Sequence, residues 1–311
     1  MEQILNKIKE NVAKVMIGKE QVTELLLTGL VAGGHILLED VPGTGKTVLA
    51  RALAKSMSLS FGRIQFTPDL LPSDVTGLSF YHQEKGAFLF KEGPVFSNIL
   101  LADEINRATP RTQSSLLECM AEGQVTVDGE TRVLEAPFFV IATQNPVETL
   151  GCFPLPEAQM DRFLMKLSMG SLSAQEERQM VDRYIHAEPL QELEPVCSQE
   201  EICGLQRRCR EVYVHEDLRD YLVALIQGTR SRGEGSSGVS PRGTLALLRA
   251  SQGFAMVRGR DFVVPEDIKE VAEPVLVHRM LTEDLGEKER SYRIKQLLSQ
   301  IPVPTENWGR P

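Results

Sequence analysis

The spacing of apolar residues near the start of the chain predicts a pair of helices. Over residues 3–15, apolar side chains recur every three or four positions, as on one face of an amphipathic helix. The apolar positions of this face are Ile4, Leu5, Ile8, Val12 and Val15. The segment 17–20 interrupts the pattern, and a second helix is predicted over residues 21–32. We expect the two helices to pack against each other.

Short apolar runs further along predict the strands of a sheet. Uninterrupted runs are typical of strands buried on both faces of a parallel sheet, whereas residues 61–66 alternate. The predicted strands are Ile36–Leu38, Phe61–Phe66, Ile99–Leu101 and Phe138–Thr143. Two β-hairpins are predicted between them, near residues 78–90 and 123–133, and the second turns at Asp128 and Gly129.

Beyond about residue 170 the pattern changes to helices. Ser173, followed three residues later by Glu176, has the pattern of a capping box at a helix start. Further helices are predicted near residues 198–211, 215–230, 242–257, 265–281 and 287–299. Two irregular segments are also expected, a glycine- and serine-rich loop at 233–238 and a loose tail from Pro302 onward. The chain is therefore predicted to form an α/β core over residues 1–170 and an all-α domain over residues 171–311.

Composition and charge narrow the class of protein. The chain has 311 residues, of which 42% are hydrophobic and 25% are charged, as in ordinary globular proteins. Its formal net charge of -9 argues against a general nucleic-acid binder, which presents a basic face. The 5 cysteines show no C-x-x-C spacing, so reduced thiols are favoured over disulfides or zinc ligands. The charged N-terminus is unlike a signal peptide and no apolar run approaches a membrane span, so we expect a soluble cytoplasmic protein.

A phosphate-binding loop is predicted directly after the first strand. The segment from Val41 to Thr47 reads Val-Pro-Gly-Thr-Gly-Lys-Thr, and a helix is predicted from Thr47 onward. Backbone N–H groups of residues 43–46 would wrap a polyphosphate, Lys46 would reach its β- and γ-phosphates, and the Thr47 hydroxyl would bind Mg²⁺. The first consensus glycine is replaced by Asp40, which opens the loop and tolerates unusual φ angles better than most residues.

Two carboxylates follow the apolar run at residues 99–102. Asp103 and Glu104 stand where the carboxyl end of a buried strand enters an active site. Asp103 would hold Mg²⁺ through water, and Glu104 would polarise the water that attacks the γ-phosphate. The strand and hairpin predicted between Lys46 and this pair strengthen the assignment.

A polar amide ends the last predicted strand of the core. Asn145 follows the run at 138–143 directly after Gln144, and beside a phosphate-binding loop its side chain could hold the attacking water. The alternative is an asparagine that caps a turn before Pro146, which is common in Asn-Pro sequences.

These segments together resemble the MoxR family of AAA+ ATPases, with similarity over roughly residues 15–301. The matching stretches are Val41–Thr47, Leu101–Ala108, Ile141–Pro146, Phe153–Phe163 and Ser240–Arg242. The resemblance implies an AAA+ P-loop core with a helix-2 insertion, followed by an all-α lid domain, with ATP and Mg²⁺ as cofactors. The residues then placed in the nucleotide site are Ile17, Gly18, Pro42, Gly43, Thr44, Gly45, Lys46, Thr47 and Val48.

The resemblance also implies roles for one amide and two arginines. By position, Asn145 matches the sensor-1 residue, Arg162 the arginine finger and Arg242 the sensor-2 arginine. A finger is a bidentate cation that spreads over the charge developing on the γ-phosphate, and a neighbouring subunit can donate it. Arg242 follows a glycine- and serine-rich loop and stands at a helix start. The alternative to a sensor-2 role is an exposed, solvated arginine.

Other assignments of the finger stay open at this point. Arg162 could instead form a salt bridge with Asp161 or Glu157. Arg107 and Arg111 follow the acidic pair and could also face the nucleotide of a neighbour.

The function implied by the resemblance is that of an ATP-hydrolysing chaperone that assembles or activates partner proteins. Its subunits would form a homo-oligomer, a hexameric ring, with both hairpins directed at a central pore, and its clients often contain a von Willebrand factor A domain. Two other classes of protein share the same inserts, a magnesium-chelatase-type motor subunit and a nucleic-acid motor of the MCM type. The net negative charge of the chain argues against the nucleic-acid motor. A non-hydrolysing switch is disfavoured because the loop lysine, both acids and Arg162 are present.

Overall fold

The computed structural model describes residues 2–41, 43–146, 151–230, 238–280, 286–305 and 308–309. The strands are β1 (Ile36–Glu39), β2 (Phe61–Gln65), β3 (Gly77–His82), β4 (Ala87–Glu92), β5 (Ile99–Asp103), β6 (Gln124–Val127), β7 (Glu130–Val133), β8 (Phe139–Gln144) and β9 (Met165–Leu167). The helices are α1 (Glu2–Ala13), α2 (Glu20–Ala32), α3 (Lys46–Ser56), α4 (Pro72–Thr76), α5 (Pro110–Glu122), α6 (Glu157–Met160), α7 (Ala174–Tyr184), α8 (Pro189–Glu192), α9 (Gln199–Cys209), α10 (Glu216–Arg230), α11 (Pro241–Val257), α12 (Pro265–Leu276) and α13 (Glu287–Gln300).

A parallel sheet of 5 strands, in the order β2-β5-β8-β1-β9, forms the centre of the first domain. Each run that the sequence assigns to a strand forms one, and the paired helices at the start of the chain are α1 and α2. The short strand β9 is not predicted by the sequence, because 3 residues carry no recognisable pattern. The prediction of a parallel-sheet α/β core followed by a helical lid is confirmed.

The two faces of the sheet belong to two hydrophobic clusters, because successive residues of a strand point to opposite sides. Ile36 and Leu38 of β1 lie in the larger cluster, which continues through the lid to Ile294 of α13. Leu37, between them, lies in the smaller cluster with Leu116 of α5. The larger cluster therefore joins core and lid in one continuous apolar interior.

Two antiparallel hairpins, β3–β4 and β6–β7, stand apart from the central sheet. The turn of the second lies at the predicted place, with positive φ at both of its central residues. The Arg132 guanidinium of β7 lies 4.1 Å from the ring centroid of Phe90 on β4, which joins the hairpins through a cation–π contact. At the end of the first hairpin, Tyr81 and Phe88 are exposed and their rings are 5.4 Å apart.

We refer to the helices from α7 onward as the lid. Ser173 caps α7 through the predicted capping box. The prediction of a loose tail is wrong for Val303 and Trp308, which pack against the larger hydrophobic cluster, and the Trp308 ring lies 5.8 Å from that of His215. Residues 233–237 of the glycine- and serine-rich loop predicted at 233–238 lie outside the described part of the chain.

Two general properties of the described residues bear on the class of protein. None of the helices in those ranges is both long enough and apolar enough to cross a membrane. All 5 cysteines have free thiols. Burial raises the pKa of Cys119, Cys197 and Cys209 to about 12, so these thiols stay protonated at neutral pH.

The lid packs on the core through a close helix–helix contact between α11 and α2. A Cβ atom built at Gly253 of α11 would lie 2.8 Å from the carbonyl oxygen of Thr28 and 3.3 Å from the Cβ of Ala32. Because the nearest atom is backbone, it cannot move aside as a flexible side chain would. Glycine at this position permits the approach of the two helices.

We expect Gly253→Ala to lower the free energy of unfolding by about 1–3 kcal/mol, because the added methyl group forces the helices apart. Gly204 on α9 is a matched control, since a Cβ there meets nothing within 4 Å. Gly204→Ala should instead stabilise the protein by up to about 1 kcal/mol, because alanine favours the helix. Urea unfolding of both variants measures the difference, and equal effects at the two positions would contradict the close packing.

Candidate active site

The loop after β1 has the backbone geometry of a phosphate-binding turn. Gly43 and Gly45 have φ angles of 86° and 88°, a region that residues with a Cβ rarely adopt. Helix α3 begins at Lys46, immediately after Gly45, so its first N–H groups have no intrahelical partner and face the loop. A Cβ at Gly43 would meet nothing within 4 Å, so the loop opens outward. Pro42 lies outside the described residues.

The ammonium group of Lys46 lies against the start of the same loop. Its Nζ donates hydrogen bonds to the carbonyl oxygens of Asp40, at 3.0 Å, and Val41, at 3.2 Å. Lys46 and the adjacent Thr47 line one cavity beside the loop. A cation and a hydroxyl therefore stand together at the amino end of α3, where the helix dipole already favours an anion.

Asp40 has a different role from the one expected of it. It is not among the described non-glycine residues with a positive φ, so tolerance of unusual angles does not explain it. Its carboxylate instead accepts hydrogen bonds from the Ser168 hydroxyl, at 3.2 Å, and from the backbone N–H of Met169. On the other side of this connection between core and lid, the buried Lys19 ammonium donates to the carbonyl oxygens of residues 169–171. The first residue of the loop is thereby tied to the core–lid junction.

The acidic pair lies at the carboxyl end of β5 beside β8. Glu104 has a φ of 56°, an uncommon conformation of the kind found at functional sites. Its backbone N–H donates to the Thr143 hydroxyl at 2.8 Å, and that hydroxyl donates to the Asp103 carboxylate at 2.7 Å. One side chain of β8 thus fixes both acids relative to each other.

Three further polar side chains hold this pair, and sequence reasoning missed two of them. Arg63 on β2 donates to Asp103 at 2.7 Å, and Gln65, two residues on, donates to Glu104 at 2.8 Å. Arg107 donates to the same oxygen of Glu104 at 3.0 Å. The alternation of residues 61–66 places Arg63 and Gln65 on one face of β2, which is the signal that could have indicated them.

A cavity of about 400 Å³ joins these groups at the carboxyl edge of the sheet. Its walls include Lys46, Thr47, Asp103, Glu104 and the buried Asn145. The hydroxyl and carboxylate oxygens are ligands that suit Mg²⁺, which typically takes one or two protein ligands and completes its shell with phosphate and water. Among the described residues no cluster of three or more His, Cys, Asp or Glu could hold a metal by itself. The donor set fits a metal that arrives with a phosphate.

An apolar cavity of about 580 Å³ adjoins the phosphate-binding loop. Ile17 and Val48 of the core, which the resemblance implies for the nucleotide site, line this cavity. Gly18 is not in its lining, and a Cβ at this residue would overlap the Glu176 carboxylate. The opposite wall is helix α7, whose exposed side chains in the cavity are Met180, Val181 and Tyr184. Sequence reasoning did not place Met180 or Tyr184 at the nucleotide site.

The two predicted arginines lie at the other edge of the sheet. Arg162 and Arg242 line a cavity of about 300 Å³ together with Gly33 and Gly34, which precede β1. The phosphate-binding loop follows β1, whose 4 residues span about 13 Å. The structure therefore does not bring either arginine to the phosphate-binding loop of its own chain.

The structure also shows the surroundings of each arginine considered as the finger. Arg162 is exposed and donates to the Leu117 carbonyl oxygen at 2.8 Å, whereas Asp161 pairs with Arg279 at 2.7 Å. Arg242 is 62% exposed and lies 4.0 Å from Asp161. Arg107 is already paired with Glu104 of its own chain, and Arg111 is exposed on α5.

Comparison with known protein families identifies both halves of the molecule. Residues 35–165 match the family model described as the ATPase family associated with various cellular activities (AAA). Residues 227–297 match the AAA lid domain. The first match contains the phosphate-binding loop, the acidic pair and Asn145, and the second contains α11 and α12.

Similar proteins match over nearly their whole length. The uncharacterized protein YeaC of Bacillus subtilis is 48% identical over 97% of this chain and 96% of its own. The Chaperone MoxR1 of Mycobacterium tuberculosis is 41% identical over 95% of this chain and 81% of its own. A crystal structure of a candidate ATPase from Cytophaga hutchinsonii, 41% identical, superposes with a TM-score of 0.88 over 97% of this chain and 96% of its own. The chain belongs to the MoxR family of AAA+ ATPases.

Proposed function

We propose that this protein binds ATP with Mg²⁺ and hydrolyses it to ADP and phosphate at the carboxyl edge of its sheet. The observation that carries the proposal is the single cavity into which Lys46, Thr47, the acidic pair and Asn145 all face. A cation, a hydroxyl, two carboxylates and an amide are the groups that phosphoryl transfer to water requires.

Each group has one task in the proposed reaction. Lys46 neutralises the β- and γ-phosphates, while Thr47 and Asp103 hold the magnesium ion that accompanies them. Glu104 orients the attacking water and accepts its proton, and Asn145 holds the water from the other side. Bound Mg²⁺ would supply charge neutralisation of the phosphate oxygens. Arg63 and Thr143 keep Asp103 in place through hydrogen bonds of 2.7 Å each.

The adjoining apolar cavity is the proposed place of the adenine base. It shares Gly43 to Gly45 and Val48 with the phosphate site, so a base and a triphosphate can occupy the two cavities together. Tyr184 and Met180 supply a ring and a thioether against which a base can stack. Because these residues lie on α7, bound nucleotide would contact core and lid at once.

Arg162 and Arg242 are proposed to complete the site of a neighbouring subunit. Both lie at the opposite edge of the sheet from their own phosphate-binding loop. A guanidinium placed there can stabilise the γ-phosphate charge only in another copy of the chain. This supports a homo-oligomeric ring, with six subunits as the arrangement implied by the resemblance.

The proposed output is remodelling of a partner protein. Rotation of lid against core during hydrolysis would move the two hairpins, which the Arg132–Phe90 contact joins. Tyr81 and Phe88 present exposed aromatic surface at the end of the first hairpin, where a client could be contacted. A client with a von Willebrand factor A domain remains a proposal that rests on family resemblance.

Substitution of Glu104 and of Lys46 should separate hydrolysis from binding. Glu104→Gln is expected to bind ATP normally and to hydrolyse it more slowly, by roughly 100-fold or more, because the carboxylate that accepts the proton of the attacking water is lost while the phosphate-binding groups remain. Lys46→Ala is expected to lose ATP binding. Nucleotide titration and phosphate release measure the two properties, and full hydrolysis by Glu104→Gln would disprove its role.

Substitution of Tyr184 should weaken binding of the base alone. Tyr184→Ala is expected to raise the Kd for ATP by roughly 5- to 150-fold, since stacking of a base on an aromatic ring contributes about 1–3 kcal/mol. The Kd for inorganic triphosphate should stay unchanged, because that ligand has no base. Val223→Ala, another exposed apolar side chain on the lid, is the control. An equal loss for both ligands would argue against a base pocket.

Substitution of Arg162 should abolish turnover without unfolding the subunit. Arg162→Ala is expected to reduce kcat by roughly 10³–10⁵-fold, the range seen for arginine fingers. Its melting temperature should change little, because the side chain is exposed. Arg208→Ala, which removes an exposed arginine of α9, is the control, and Arg111→Ala tests the other candidate for the finger.

Mixing Arg162→Ala with Lys46→Ala subunits tests donation between subunits. Each variant spoils a different half of the site, so mixed rings contain interfaces with an intact loop and an intact arginine. Recovery of ATPase activity is the expected result. Mixed rings that form but remain inactive would exclude Arg162 as the finger, and loss of activity in Arg111→Ala would transfer the assignment to that residue.

A further inference from the structure

Asp161, the residue directly before the proposed finger, is a meeting point of lid side chains. Its carboxylate accepts a hydrogen bond from Nε of Arg279 at 2.7 Å and from the Ser240 hydroxyl at 3.4 Å. The Arg242 guanidinium lies 4.0 Å away. Ser240 and Arg242 belong to the start of α11, and Arg279 belongs to the turn that follows α12. Three points of the lid therefore converge on one carboxylate of the core.

Arg279 holds more than this carboxylate. Its Nη2 donates to the carbonyl oxygens of Asp161, at 3.2 Å, and Phe163, and its Nη1 donates to that of Leu164 at 3.0 Å. These carbonyl groups stand on both sides of Arg162 in the chain. The backbone N–H of Leu164 in turn donates to the carbonyl oxygen just before β1, at 2.7 Å, so the segment is anchored to the sheet.

The environment of Arg279 is built for a permanent cation. The residue is only 4% exposed, yet its guanidinium has an acceptor on each of its nitrogens. Burial lowers the pKa of Arg279 to about 10, although the Asp161 carboxylate partly offsets this by raising it. The guanidinium therefore stays protonated at neutral pH. Burial also lowers the pKa of the adjacent His278 well below its ordinary value, which keeps that imidazole neutral. The flat, five-donor geometry of arginine matches this set of oxygens, and lysine cannot reproduce it.

We propose that Arg279 is a positioning residue for the arginine finger: by holding the backbone on both sides of Arg162, it lets the lid determine where that guanidinium points in the neighbouring site. The inference rests on the proposed role of Arg162 as a finger acting between subunits. The Arg162 side chain has a single described hydrogen bond, to the Leu117 carbonyl oxygen, so the direction of its guanidinium depends mainly on its own backbone. A displacement of about 1 Å is enough to cost roughly 100-fold in rate.

The inference predicts a defect confined to one half of the site. Arg279→Lys should lower kcat by about 100-fold while the Kd for ATP stays unchanged, because its own loop and cavity are intact. Mixed with Lys46→Ala subunits, which keep a well-positioned finger, Arg279→Lys should regain ATPase activity. Mixed with Arg162→Ala it should not, because neither partner then supplies a working finger.

A second buried ion pair of the lid provides the matched control. Arg260 donates to the Asp267 carboxylate at 2.6 Å and 2.5 Å, and Asp267 is 1% exposed, but this pair lies away from Arg162. Arg260→Lys should lower the melting temperature about as much as Arg279→Lys and leave kcat near that of the unmodified protein. A similar loss of kcat in both variants would mean that Arg279 acts only through stability and would overturn the inference.

Asp161→Asn addresses the case in which Arg279→Lys fails to fold, as circular dichroism would reveal. This change keeps the shape and one acceptor but removes the charge, and the same half-site defect is expected. Full activity of Asp161→Asn would overturn the inference. If Arg162→Ala regains activity when mixed with Lys46→Ala, failure of Arg279→Lys or Asp161→Asn to do so would also overturn it. If Arg162→Ala also fails to recover with Lys46→Ala, the proposed finger is wrong rather than its positioning.

Discussion

The register of parallel strands determines where every functional group of the core can lie. β1, β5 and β8 pair side by side, with Leu38 opposite Thr143 and Ala102 opposite Ala142. Because these strands run in the same direction, the loop after β1 and the acids after β5 emerge at one edge. The hydroxyl of Thr143 then bridges to the acids from the neighbouring strand. A shift by one residue would reverse the faces of a strand and break this arrangement.

Polar contacts at the core–lid junction connect the phosphate-binding loop to the lid. Asp40 and Lys19 both bind the connecting segment 168–171, Asp40 through the donors of this segment and Lys19 through its carbonyl oxygens. Removing Lys19 is costly, because the Met169 carbonyl oxygen then stays buried without its donor. The aspartate that replaces a consensus glycine is therefore explained by the junction rather than by the loop. Phosphate binding and lid position share a residue.

The sequence predicts residues whose place follows from the end of a strand or the start of a helix, and it misses residues that only tertiary packing brings to the site. Runs of apolar residues sufficed to place the strands and hence the loop and Glu104, because strand pairing follows from local pattern. The positive φ of Glu104 depends on the bond to Thr143, which no local pattern encodes. Arg63 and Tyr184 come from an edge strand and a lid helix, and only tertiary packing brings them to the cavities. Trp308, expected in a loose tail, packs because the lid presents an apolar face to it.

The proposed role of Arg162 and Arg242, at the opposite end of β1 from the phosphate-binding loop, has a consequence for the symmetry of the assembly. In a two-fold dimer every contact occurs twice, so a dimer completes both sites only if one surface patch contains both the loop edge and the arginine edge. A head-to-tail contact instead joins the loop edge of one subunit to the arginine edge of the next, and it repeats until it closes into a ring or continues as a helical filament. An open head-to-tail assembly always leaves one loop without an arginine and one arginine without a loop. Among head-to-tail assemblies, a closed ring is then the arrangement in which every subunit has a complete site.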